Sequence, residues 1–287
     1  MQARDAVRCA SNRLRESGCP SPDLDAEILV RHVLDLDRAG FWLDPERTVD
    51  DSEQNRIDAL VARRADGEPV AYLTGVREFH SLIFRVDRRV LIPRPETEHV
   101  VEAVLERVRP RLGEPLSGID VGTGSGALAV TLAFRMPRLS MIGIDRSPGA
   151  LTVARSNARR LGVGHRVDFI RGDRLTAVAK DRAIDVVVSN PPYITDAEMA
   201  ALPEEVRLHE PDLALRSGDD PLAFHRAIAR DARECLRAGG WLVLEVGASQ
   251  AVSAASVREW MYGFDEVDVV HDLAGLPRVV VGRCQGL

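Results

Sequence analysis

Asp120-Val121-Gly122-Thr123-Gly124-Ser125-Gly126 follows the strand-like run Gly118–Val121 and opens a helical pattern over residues 125–135. A glycine-rich turn between strand and helix lets the backbone approach a ligand closely at the strand's carboxyl end. Asp145 closes the next strand pattern, about twenty residues on, where a carboxylate can accept two ribose hydroxyls. The spacing predicts an adenosine-containing cofactor held by Asp120, Gly122, Thr123, Gly124, Ser125, Gly126 and Asp145. Gly122-x-Gly124-x-x-Ala127 also satisfies the dinucleotide fingerprint, so a nicotinamide cofactor competes on the glycines alone. Three features favour S-adenosylmethionine, which carries an amino-acid end and a sulfonium but no phosphate. A helical stretch and a hairpin precede the fingerprint. Asp120 stands two residues before the first glycine, placed to face an ammonium group. A further acid, Asp173, ends the third strand region, where the adenine is expected.

Outward from this turn, strand and helix alternate. Strands are predicted at Gly118–Val121, Ser140–Ile144, Val167–Arg171, Ile184–Ser189, Trp241–Val246, Glu266–Val270 and Arg278–Val281, and helices at 125–135, 148–162, 220–237 and 248–262. Such alternation implies a mainly parallel sheet with helices on both faces. Residues 1–75 read as helices, with Val7, Leu14, Ile28, Leu29, Val33 and Leu34 at helical spacings and Ser21-Pro22-Asp23 as a helix start. Nothing in that module carries chemistry, so it either packs or binds a partner. Residues 76–94 form a β-hairpin linker, its turn expected at Val86-Asp87-Arg88-Arg89-Val90, and residues 95–287 form the α/β domain.

The fourth strand, Ile184–Ser189, runs into Asn190-Pro191-Pro192-Tyr193. Two prolines fix consecutive φ angles and remove two N–H donors, and Pro191 drives Asn190 toward an extended conformation. Carbonyls without local partners, an amide and a flat ring together suit a planar N–H-bearing group. Taken alone, the tetrapeptide reads equally well as a turn capped by a buried tyrosine. The order of such sheets sets strand four beside strand one, so the glycine turn and this corner meet in one crevice outside the carboxyl ends of the strands.

Composition narrows the class. A chain of 287 residues with 45% hydrophobic residues supports a large globular domain beside a small one. No apolar stretch reaches membrane-spanning length, and the first residues lack the apolar run of a secretory signal, so the cytosol is the expected compartment. Cys9, Cys19, Cys235 and Cys284 are scattered and form no C-x-x-C pair, which predicts free thiols and no metal. A net charge of −6 without a basic run argues against tight non-specific nucleic-acid binding.

With these residues in view, the chain resembles the class I S-adenosylmethionine-dependent methyltransferases of the N-P-P-Y type, and within them the peptide chain release factor glutamine methyltransferases (the HemK/PrmC group). The similarity runs over nearly the whole length and includes Arg94-Pro95-Glu96-Thr97-Glu98, Glu210-Pro211, Leu213-Ala214-Leu215 and Asp272-Leu273-Ala274-Gly275. It implies a Rossmann-like seven-stranded sheet with an N-terminal helical substrate-recognition domain. It also implies S-adenosylmethionine as methyl donor, and the glutamine of the Gly-Gly-Gln motif in class I release factors as acceptor. N-P-P-Y alone is shared with enzymes that methylate amino groups of nucleic acids. The alternative is therefore an N-methyltransferase acting on another protein, a small molecule or a nucleic acid.

The implied catalytic residues are Asn190 and Tyr193. Asn190 also adjoins the cofactor, Asp173 and Arg174 extend the cofactor site, and Arg94, Glu96, Pro191 and Pro192 join Asn190 and Tyr193 on the substrate side. Two departures from the family pattern stand out. Ser217-Gly218-Asp219-Asp220-Pro221-Leu222 replaces a glycine-rich stretch, and Arg174 occupies a position that is often aromatic.

Overall fold

The computed structural model describes residues 1–181, 183–250 and 254–285. It divides into two compact units, Met1–Val76 with Pro203–His209, and Arg77–Leu202 with Glu210–Leu287.

In the first unit, Ala3, Ala6, Ala10 and Leu14 fall on one face of the helix Ala3–Glu16. That small-residue stripe packs with Ala26, Leu29, Val30 and Val33 of the helix Pro22–Leu34. The start at Pro22 agrees with the sequence, although the Ser21 side chain makes no capping bond. The helix Asp51–Ala65 begins on a capping box between Asp50 and Glu53. Its buried Arg64 pairs with Asp25 at 2.7 Å and with Glu205 at 2.6 Å, and donates to the Glu68 carbonyl at 3.1 Å. The Arg64–Glu205 pair ties the helix Glu204–His209 to this unit across 141 residues of sequence. Of the two pairs only Arg64–Asp25 is buried at both ends, and removing one partner from such a pair costs about 3–5 kcal/mol.

The hairpin pairs Val76–Phe79 with Leu82–Arg85 and corrects one expectation. Its turn is His80-Ser81, not Val86–Val90; both turn residues take positive φ, 50° and 63°. Two-residue hairpins require this left-handed geometry to match strand twist. The Arg135 guanidinium holds it by donating to the His80 carbonyl at 2.6 Å, and the Glu98 carboxylate accepts from the His80 N–H at 2.7 Å.

The second unit is built on seven strands: β1 Leu116–Val121, β2 Leu139–Asp145, β3 Val167–Arg171, β4 Ile184–Ser189, β5 Leu236–Glu245, β6 Phe264–His271 and β7 Pro277–Cys284. Their order is β6-β7-β5-β4-β1-β2-β3, with β7 antiparallel to both neighbours and the other pairings parallel. Each predicted strand is present, most of them longer than the hydrophobic pattern marked. Successive residues feed opposite layers. Val186 and Val188 join Leu128, Val130, Leu132 and Leu151 on one face. Val187 joins Ile228, Ala232, Val257 and Met261 on the other. The helix expected over 248–262 is seen as Ala254–Trp260, and residues 251–253 of that expectation lie outside the described residues. Among the described residues, no helix is long and apolar enough to cross a membrane.

Chain order runs outward from β1 to β3, then returns to β4 on the other side of β1. The sheet reverses between β1 and β4, which opens the crevice where ligands bind in such folds. Ser189 closes the join below it, its hydroxyl donating to the Val121 carbonyl at 2.6 Å.

Candidate active site

The glycine loop leaves β1 and is pinned to β2. The N–H groups of Gly122 and Thr123 donate to the Ile144 carbonyl at 2.8 and 2.9 Å, and the Gly124 N–H donates to Asp145 Oδ2 at 2.9 Å. The Ser125 carbonyl accepts from the buried Asn157 amide at 2.9 Å. Gly122 has φ 72°, and apart from its chain neighbours no atom of the described residues lies within 4 Å of where a Cβ would sit, so its face is open toward the cleft. At Gly126 a Cβ would instead meet Ala154 and Val130 at 3.2 Å, which makes that glycine a packing residue.

Asp120, the penultimate residue of β1, is 1% exposed. Its Oδ2 accepts from the Thr123 hydroxyl at 2.7 Å and from the Ala129 N–H at 3.1 Å. Its Oδ1 is buried without a hydrogen-bond partner among the described residues. Burial, with a smaller push from the Asp145 charge, raises the carboxyl from 3.8 to about 7. Asp145 accepts at both oxygens, from Gly124 and, at 2.8 Å, from the Ser147 N–H. Each oxygen keeps a lone pair for a further donor.

This donor set distinguishes the two candidate cofactors. A diphosphate needs free backbone N–H groups, yet those of Gly122, Thr123, Gly124 and Gly126 are spent on protein acceptors. An orphaned carboxylate oxygen repels a phosphate and attracts an ammonium. The residues present therefore fit S-adenosylmethionine, whose ammonium would suit Asp120 and whose ribose hydroxyls would suit Asp145.

Asn190, Pro191 and Pro192 line the same cleft as Asp120, Gly122, Thr123, Gly124, Ser125 and Asp145. Arg94, Asp173 and Arg174 line it too; Glu96, Gly126 and Tyr193 do not. Arg94 is held by Glu210, a buried carboxylate that also accepts from the Ile92 N–H at 3.1 Å. Arg174 takes a left-handed backbone, φ 53°, and its buried Nε has no hydrogen-bond partner among the described residues.

The Asn190 side chain donates from Nδ2 to Thr97 Oγ1 at 3.1 Å. Tyr193 turns back from the cleft, its hydroxyl 3.4 Å from Oε1 of Glu245 and its carbonyl accepting from Gln250 at 3.0 Å. Burial, then the Glu245 charge, pushes the phenol above its ordinary range. Glu245 went unnoticed in the sequence. Its only signal there is a charge at the end of the apolar run Leu242-Val243-Leu244.

Comparison with known proteins accords with this geometry. Residues 5–75 match the PrmC N-terminal domain, and residues 114–262 match a methyltransferase domain. The release factor glutamine methyltransferase of Koribacter versatilis is 41% identical over 283 residues, covering 99% of either chain. That of Cereibacter sphaeroides is 42% identical over 284 residues, again 99% of each. Among solved structures, the catalytic domain of hMettl16 superposes with a TM-score of 0.56 at 16% identity, covering 81% of each chain, a likeness of fold. On identity sustained over the full length and on both matched domains, the chain belongs to the release factor glutamine methyltransferase family.

Proposed function

We propose that the protein methylates the side-chain amide nitrogen of a release factor glutamine, that of the Gly-Gly-Gln motif in class I factors, using S-adenosylmethionine. The observation that carries this reading is the single cleft in which the Asp120–Gly124 loop and the Asn190–Pro192 corner meet. Bound there, the cofactor supplies a methyl group activated by a sulfonium.

An amide nitrogen is a weak nucleophile because its lone pair is delocalised into the carbonyl. The corner compensates by orientation. Asn190 Oδ1 and the Pro191 carbonyl would accept the two amide protons and hold the nitrogen oriented for the methyl group that the bound cofactor would supply. With the cofactor bound, the methyl–sulfur bond would break as the N–C bond forms, leaving S-adenosylhomocysteine, and these acceptor dipoles would stabilise the positive charge developing on nitrogen, one proton then passing to solvent. Tyr193 backs the corner and excludes water from its inner side. Arg94, held by Glu210, and Glu96 stand on the substrate side.

The helical unit supplies the surface for the body of the release factor. Trp42 and Leu43, 64% and 85% exposed at the end of the helix Arg38–Leu43, support that role. Incubation of purified release factor with isotopically labelled S-adenosylmethionine, followed by peptide mapping, tests the reading. Label is expected on the Gly-Gly-Gln glutamine; label elsewhere, or none, overturns it.

A further inference from the structure

An asparagine side chain can face either way, since its oxygen and its amino group have the same shape. Only one orientation presents an acceptor to an amide substrate. Asn190 Nδ2 lies 3.1 Å from Thr97 Oγ1, in the 3₁₀ turn Pro95–Thr97. Behind Thr97 stands Glu245, the last residue of β5, with 2% exposure. The Thr97 hydroxyl faces the Glu245 carboxyl, and Tyr193 Oη approaches its Oε1 at 3.4 Å. Oε2 has no hydrogen-bond partner among the described residues, and Glu245 does not line the cleft. The strand end is fixed by its own carbonyl, which accepts from the buried His225 at 2.9 Å. A buried carboxyl with an orphaned oxygen, set behind the reactive corner, is costly unless it serves something.

We propose that Glu245 and Thr97 are positioning residues that set the direction of the Asn190 amide. This rests on the reading of Asn190 as acceptor for the substrate amide. An ionised carboxylate only accepts. The Thr97 hydroxyl then donates toward Glu245, its lone pair takes Asn190 Nδ2, and Asn190 Oδ1 is turned to the substrate. Protonated, the carboxyl becomes a donor to Thr97. The hydroxyl then donates to Asn190 Oδ1, and Nδ2 confronts the substrate N–H, donor against donor.

The groups that face Glu245 are Thr97 and Glu96 from the 3₁₀ turn, Tyr193 from the loop after β4, and Arg278 from β7. Burial raises its carboxyl most and Glu96 adds to this, against Thr97, Tyr193 and Arg278, leaving it at about 7. Arg94 is a further cation near Tyr193. The relay therefore reverses within the neutral range.

The experiment uses the full chain, full-length release factor and saturating cofactor, with wild type, Thr97→Val and Thr97→Ser compared from about pH 6 to about pH 9. Thr97→Val is expected to lower kcat about tenfold or more, with KM and S-adenosylhomocysteine affinity changed by no more than about twofold. Thr97→Ser restores kcat. Wild-type kcat falls below about pH 7, and Thr97→Val loses that acid limb. The 15N resonance of the Asn190 side-chain amide follows the same midpoint in the wild type. Wild-type kcat in Thr97→Val overturns the proposal. So does an Asn190 resonance unmoved between about pH 6 and about pH 8, whether or not the variants fold. Failure of the wild type to methylate the glutamine would instead count against the proposed substrate, and the resonance would still decide the relay.

Discussion

Replacing Asp120 with asparagine separates the cost of a buried charge from its use. In the free protein Asp120 is 1% exposed and, among the described residues, accepts two hydrogen bonds at Oδ2 and none at Oδ1. Its carboxyl is raised from 3.8 to about 7. The unfolded chain releases this proton near 3.8, the folded chain only near 7, so between those values the folded state binds more protons. Asp120 therefore stabilises the fold less and less as pH rises through that window. Above it, at about 1.4 kcal/mol per unit, the ionised group costs the ligand-free protein about 4 kcal/mol.

A cationic ammonium beside Oδ1 would remove most of that cost and couple binding to proton release. At about pH 6 roughly one free molecule in ten has Asp120 ionised, and affinity for S-adenosylhomocysteine should be about tenfold weaker than at about pH 8. Titration calorimetry at the two pH values, in buffers of different ionisation enthalpy, reads both the affinity and the released proton. Asp120→Asn should bind weakly at both pH values, while ligand-free unfolding at about pH 8 moves to higher temperature. Glu245 adds a second slope of the same sign, so the difference between wild type and variant isolates Asp120. Equal wild-type affinity at the two pH values, or wild-type affinity in Asp120→Asn, would refute the reasoning.

Gly122→Ala should fold with a loss of about 1 kcal/mol from its left-handed φ, yet bind S-adenosylhomocysteine at least about tenfold more weakly, because the methyl enters the cleft. Circular dichroism and calorimetry separate the two effects. Asn190→Ala should retain its melting temperature and lose about 99% of turnover, since aligned acceptors account for two or more powers of ten; near-normal methylation of release factor would contradict the assigned role. Trp42→Ala should raise KM for release factor about tenfold with kcat kept, as expected of an exposed aromatic anchor, and an unchanged KM would remove Trp42 from the recognition surface.

Backbone geometry and burial leave a mark on local sequence wherever the requirement is local. The glycine turn after β1, Asp145 at the end of β2 and the Val186–Val188 run of β4 were legible because a tight turn needs glycine and a strand buried on both faces favours apolar residues at successive positions. Their meeting in one crevice was legible too, since the chirality of crossovers leaves few arrangements of such a sheet. The hairpin turn was misplaced. His80 and Ser81 carry no glycine signal, and the turn is held by His80 contacts with Arg135 and Glu98, 55 and 18 residues away.

What only the tertiary structure decided is what each polar group faces. Asp120 is an acid near the end of a strand in sequence; in the fold it is a buried carboxyl with one oxygen unpaired among the described residues. Thr97, Asn190 and Glu245 lie 93 and 55 residues apart along the chain. Nothing local requires their residue types, and their relation arises when the end of β5, the corner after β4 and the 3₁₀ turn are packed together. Hydrogen-bond direction and the dielectric around a charge are properties of that packing, and the sequence of each segment alone does not contain them.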